Sequence, residues 1–135
     1  MIEKFYKYKL RYKDYILLIK CCSFYEVIDN DALIINKIFN YKLKKLSNTF
    51  KVGFPISSLD NIIKRLDQES INYVVIDNDL KIKEQVINNY DKYIFDNKQI
   101  YYNLIRIENI SNYLASNILN IDNKLNEIEK VLSNI

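Results

Sequence analysis

The sequence has no histidine and no tryptophan, one glycine, one proline and two cysteines. Without histidine there is no Ser-His-Asp triad, no Cys-His dyad and no His-ligated metal. A single glycine cannot build a P-loop, a dinucleotide fingerprint or another glycine-rich phosphate cradle. An ATPase, a nucleotide-dependent dehydrogenase and a conventional hydrolase are therefore excluded, and no cofactor or metal is expected. The two cysteines, Cys21 and Cys22, are neighbours. Adjacent residues rarely close a disulfide, so they read as two buried structural thiols in a reducing, cytoplasmic compartment. No run approaches the roughly eighteen apolar residues of a membrane span, and the N-terminus lacks a signal-peptide pattern.

What is present is an ordinary globular composition. The chain has 135 residues, 49% hydrophobic and 27% charged, enough for one domain with a small appendage. Asn, Ile, Lys and Tyr, all with AT-rich codons, dominate, which reports a low-GC genome more than a function. The net charge of +3 hides an asymmetry: residues 1–53 carry eleven basic and five acidic side chains, the remainder nine and twelve. A basic N-terminal half suits a polyanionic partner. It equally suits a lysine-rich solvated surface.

Tyr6, Tyr8, Leu10 and Tyr12 alternate with Lys7, Lys9, Arg11 and Lys13. Period two is the mark of a strand, although Lys, Leu and Arg are also good helix formers. Tyr15 to Ile19 reads as a strand buried on both faces, and Phe24 to Ile28 as its neighbour across a bend at Cys22-Ser23. Asp29-Asn30-Asp31 offers N-caps for a helix carrying Ile34, Ile35, Ile38 and Phe39. Tyr41 to Leu46 is expected to be an exposed strand, followed by a Ser47-Asn48 turn and a strand from Phe50 to Phe54, closed by Gly53-Phe54-Pro55. Ser57 or Ser58 would cap the next helix, with Asp60 in a box-like arrangement. Leu59, Ile62, Ile63 and Leu66 have amphipathic helical spacing. A strand from Ile71 to Ile76, a turn at Asp77-Asn78-Asp79 and a returning strand marked by Leu80, Ile82 and Val86 complete residues 1–96. The expected fold class is α+β, a mixed sheet flanked by helices.

Residues 97–135 differ. Ile100, Leu104, Ile107, Leu114, Ile118, Ile121, Leu125, Ile128, Leu132 and Ile135 recur at steps of four and three, with Ser111 as the polar occupant. That is a heptad seam. It fits a continuous helix forming a coiled-coil homodimer. It fits equally two helices breaking near Asn120-Ile121-Asp122, with Asp122 capping the second. Either way the stripe has to be covered.

Phe24-Tyr25-Glu26, then Asp31-Ala32, then Gly53-Phe54-Pro55 resemble, in order and spacing, the N-terminal mismatch-recognition domain of the MutS family. That domain carries a Gly-Asp-Phe-Tyr-Glu motif, an Asp-Ala pair opening a helix, and a Gly-x-Pro before the next helix. The resemblance covers roughly residues 5 to 90, and Cys22-Ser23 stands where the family has Gly-Asp. It implies a helix, rather than a strand, before the first strand. It also implies a stand-alone form of the domain, since the family's clamp, lever, connector and ATPase domains are not in these residues.

In the family the Phe enters the minor groove and stacks on a mispaired base, and the Glu two residues later hydrogen-bonds that base. Phe24 and Glu26 are the matching positions. Residues i and i+2 of a strand share a face, so both would reach one base while Tyr25 points into the core. Such a wedge reads deformability more than a base code. Lys7, Lys9, Arg11, Lys13, Lys42, Lys44, Lys45 and Lys51 are the candidate phosphate contacts, if they share the wedge's face. The implied partner is mismatched or distorted DNA, bound without enzymatic activity. The alternative is a protein-interaction module that keeps the fold and works through its heptad tail. Exposure of Phe24 among lysines favours the first, and burial of Phe24 the second. A third reading, Mg²⁺ held by Glu26, Asp29 and Asp31 as in a nuclease, competes with ordinary helix capping by the two aspartates.

Overall fold

The first half of the segment of alternating Tyr and Lys is helical, and the second half is turn. In the computed structural model, which describes residues 1–86 and 89–135, α1 runs Ile2–Lys9. Period two gives way because helical spacing gathers Phe5, Tyr8 and Tyr12 on one side. Phe5 is buried there and both tyrosines pack beside it, while Tyr6 and Leu10 face solvent.

β1 (Ile16–Cys21) and β2 (Phe24–Ile28) form an antiparallel hairpin turning at Cys22-Ser23. Cys22 has φ 58°, the left-handed region that favours glycine, and its place at the bend leaves it exposed and Cys21 half-buried, so the two thiols are not the buried pair expected. α2 (Asn30–Phe39) follows and ends at Asn40 in the left-handed conformation. Asp29 occupies its N-cap position, but neither Asp29 nor Asp31 caps it with a side chain. The Asp29 carboxylate instead accepts from Tyr6, Thr49 and Asn97.

β3 is Lys44–Leu46, shorter than the expected strand. Tyr41 is held by aromatic stacking on Phe39 and Phe54, at centroid distances of 5.9 and 6.2 Å, and not by a ladder. β4 (Thr49–Pro55) leads through a 3₁₀ turn at Ile56–Ser58 into α3 (Leu59–Gln68). Ser58 is the N-cap residue of α3, yet no serine side chain makes a capping bond there. β5 (Tyr73–Asp77) and β6 (Leu80–Gln85) form a hairpin whose central residues, Asn78 and Asp79, both have positive φ, as a two-residue type I′ turn requires.

The strands form one mixed sheet in the order β3-β4-β2-β1-β5-β6, with β1 and β5 parallel and the other described pairs antiparallel. On one face α1 covers Leu17, Ile19, Ile28, Val74 and Ile76. The alternating set, Ile16, Leu18, Tyr25, Val27, Val52, Phe54, Tyr73 and Val75, is buried on the other. There α2 packs on β2 and β4, and the buried stripes of α2 and α3 complete the core. Beyond β6, a 3₁₀ turn at Tyr90–Tyr93 is tied down by Asn30. Its Nδ2 donates to the Tyr93 carbonyl, and its Oδ1 accepts from the Phe95 amide.

The chain divides into two compact units, residues 1–101 and 102–135. The helical tail is α4 (Asn97–Ser116), a 3₁₀ turn at Ile118–Asn120, and α5 (Asp122–Leu132). It is two helices and not one continuous helix. The side chains of Ser116 and Asn117 donate to the carbonyls of Asn112 and Tyr113, occupying the last turn of α4. Ile121, not Asp122, is the N-cap residue of α5; Asp122 opens the helix and places a negative charge at its N-terminus.

Candidate nucleic-acid interface

The β1–β2 hairpin sets the site. Phe24 opens β2 and is 49% exposed, whereas Tyr25, pointing to the opposite face, is 2% exposed and stacks on Phe54. Glu26 returns to the face of Phe24 and is half-buried. In the β2–β4 ladder Phe24 pairs with Pro55, Glu26 with Gly53 and Ile28 with Lys51, while Lys44 of β3 pairs with Lys51. These side chains therefore share one face, the same face that α1 covers further along the strands.

Phe24, Glu26, Lys44, Lys51 and Gly53 line a cleft of about 160 Å³. Lys51 Nζ lies 3.1 Å from Glu26 Oε1. The two residues are diagonal neighbours across the ladder, close enough for long side chains to meet. The cleft combines an exposed aromatic face, a carboxylate acceptor and two ammonium groups. An aromatic face can stack on a base, a carboxylate can accept from a base N–H, and ammonium groups suit phosphate or carbonyl oxygens.

The other expected contacts divide. Lys7, Arg11, Lys13, Lys42 and Lys44 are exposed. Lys45 is exposed too, but it pairs with Phe50 and so lies on the opposite face from Lys44. Lys9 is a correction. Its ammonium turns inward, 2.8 and 2.9 Å from the two oxygens of the fully buried Asp31, and it also donates to the Tyr15 carbonyl. It is not free to reach a phosphate. Asp31 further accepts from Tyr90 and from the Leu17 amide at 3.0 Å. Burial pushes its carboxyl up, and Lys9, Tyr90 and Leu17 draw it back.

The three acids considered for Mg²⁺ are thus dispersed among separate partners: Lys51 for Glu26, Lys9 for Asp31, and Tyr6, Thr49 and Asn97 for Asp29. Among the described residues no group of three or more acidic or thiol side chains is placed to hold a metal, and no helix is long and apolar enough to cross a membrane. Sequence reasoning missed two features of the cleft: the Lys51–Glu26 pair and the place of Gly53 on its floor. The signal for the second was the chain's single glycine. In the tail, Ile121 is buried and Ile100, Leu104, Leu114, Leu125 and Ile128 are half-buried, whereas Ile107, Ile118 and Leu132 are exposed. Ile110, Tyr113 and Leu119, outside the seam, are exposed as well.

A six-stranded mixed sheet, one face partly covered by a helix and partly open as an aromatic, carboxylate and lysine cleft, defines a small α+β domain. The family described as MutS domain I matches residues 1–107, and the chain belongs to that family. Among its relatives, the DNA mismatch repair protein MutS of Thermosipho melanesiensis is 41% identical over 66 residues, covering 49% of this chain and 8% of that protein. The protein of the same name from Fervidobacterium nodosum is 39% identical over 66 residues, again 49% of this chain and 8% of the relative. That of Borreliella burgdorferi is 31% identical over 88 residues, 65% of this chain and 9% of the relative. The chain thus matches less than a tenth of the length of each of these relatives.

Proposed function

We propose that this chain is a non-enzymatic DNA-binding domain that senses mispaired or distorted duplex. Phe24 enters the minor groove and stacks on a weakened base, and Glu26, two residues on, accepts a hydrogen bond from it. Lys44 and Lys51 at the cleft, with Lys7, Arg11, Lys13 and Lys42, supply phosphate contacts. The observation that carries this reading is the half-exposed Phe24 sharing a cleft with Glu26 and two lysines. A wedge must be exposed before it can insert, and an aromatic held out of the core among cations has that character. The names of the MutS relatives point the same way.

A single domain of this size buries little DNA, so binding is weak and steeply salt-dependent. A second copy joined through residues 98–135 would strengthen it by effective concentration. A protein-interaction role for the tail is the second reading, favoured by the exposure of Ile107, Ile110, Tyr113 and Leu119.

The test is a low-salt titration of matched duplex, single-mismatch duplex and single-stranded DNA, with Phe24→Ala alongside. The expected outcome is tighter binding to the mismatch, reduced in the variant by about 1–3 kcal/mol, the usual worth of one aromatic–base stack. If the wild type binds none of the three, the DNA reading fails and the tail becomes the working surface.

A further inference from the structure

Gly53 is the chain's single glycine, and it lies inside β4. A glycine in a strand interior weakens the strand and is normally explained by a positive φ, a bulge, or a crowded neighbour. None of the three applies. Gly53 does not have a positive φ. The β2–β4 register runs without a shift from Phe24 and Pro55 to Ile28 and Lys51. A Cβ at position 53 would meet only the Tyr25 carbonyl oxygen, at an ordinary 3.9 Å. The fold by itself does not require a glycine here.

The surroundings supply another reason. Gly53 is exposed, stands directly across the ladder from Glu26, and forms the cleft floor with Phe24, Lys44 and Lys51 around it. A side chain at this position would project into the space in front of the Glu26–Lys51 pair. We propose that Gly53 is a specificity-determining position. Its missing side chain leaves room for the edge of a base stacked on Phe24 to descend to the Glu26 carboxylate and the Lys51 ammonium. This inference rests on the DNA reading above and adds a residue to it. The space matters most where a base is displaced from its pair, so the mismatch contact is affected more than the phosphate contacts.

The experiment compares Gly53→Ala and Gly53→Val with wild type, measuring thermal unfolding and titrating matched and single-mismatch duplexes at low salt. A β-branched residue suits a strand. Both variants are therefore expected to unfold at or above the wild-type temperature. Gly53→Val is expected to bind the mismatch about tenfold more weakly, the scale of one lost recognition contact, with a smaller loss on matched duplex and an intermediate result for Gly53→Ala. Three results overturn the proposal: Gly53→Val binding the mismatch like wild type, equal losses on both duplexes, or unfolding of both variants well below wild type. The last would make the glycine a requirement of the fold. A wild type that binds no DNA overturns the functional reading and this inference together. A binding wild type with an insensitive Gly53→Val overturns this inference alone.

Discussion

Lys9 shows how a residue can look like surface and be core. In the sequence it is one of several alternating lysines, with nothing local to mark it. Once residues 2–9 are helical, Lys9 lies four positions after the buried Phe5 and so on the same face. That signal was present, but only after the helix was chosen over the strand. Removing one partner of a buried pair leaves an uncompensated charge and costs about 3–5 kcal/mol. Lys9→Met is therefore expected to lower the urea unfolding free energy by that amount at neutral pH, and Lys9→Met with Asp31→Leu by clearly less than the two single changes together. The pH dependence has a definite sign. Burial already pushes the Asp31 carboxyl up, and loss of Lys9 pushes it further. A raised carboxyl contributes stability that is present at low pH and lost as pH rises through its folded value. The Lys9→Met deficit should thus be smaller near pH 4 than at pH 7, and a deficit independent of pH would contradict the buried-pair account. The cleft was legible in part by the same logic. Alternation put Phe24 and Glu26 on one face and Tyr25 in the core. The Lys51–Glu26 pair and the placement of Lys45 on the face opposite Lys44 depend on the β2–β4 and β3–β4 registers, which no single segment encodes.

The elements with strong apolar patterns, β1, β2, α3 and β5, were legible because burial and periodicity agree in them. Those that failed did so where side chains have competing partners. Asp29, Asp31 and Ser58 have the chemistry of N-caps, but both aspartates are committed to tertiary hydrogen bonds. Tyr41 has strand chemistry, but its ring is held by Phe39 and Phe54. Residues 90–95 carried little pattern, and they are held in part by Asn30, a residue read only as a possible cap. Asn30 Nδ2 donates to the Tyr93 carbonyl at 2.9 Å and the Tyr90 hydroxyl at 3.2 Å, and Oδ1 accepts from the Phe95 amide at 3.2 Å. Asn30→Ala strands the Tyr93 carbonyl and the Phe95 amide, so it should cost about 1–3 kcal/mol. Its effect should concentrate in residues 90–95. Amide hydrogen exchange is expected to accelerate at Phe95 while the amides of β1 and β5 keep their protection relative to global stability. Uniform acceleration across the sheet would mean that Asn30 supports the whole core and not one strap.

At the scale of the molecule, two compact units carry different surfaces. Residues 1–101 hold the sheet, the cleft and the excess of basic side chains. Residues 102–135 expose Ile107, Ile110, Tyr113, Ile118, Leu119, Val131 and Leu132. Aliphatic exposure on that scale in so short a segment calls for a cover, and a second copy of the chain is the cover proposed here. Tyr101 is a suitable place to divide the two. Upstream of it Asn97 donates to Asp29 at 2.8 Å, and Tyr101 itself donates to the Ser47 carbonyl at 3.1 Å, so a chain ending there keeps both ties. Residues 1–101 are expected to unfold cooperatively and to sediment as a monomer, while the full chain sediments as a dimer. If the dimer presents two clefts to one duplex, the full chain should bind mismatched DNA about a hundredfold or more tightly than residues 1–101, through effective concentration and not through new contacts. That advantage should vanish on duplexes too short to engage both clefts, because avidity requires simultaneous engagement. A full chain that dimerises and yet binds no more tightly than residues 1–101 would separate the two surfaces, leaving DNA to the first unit and protein contact to the second.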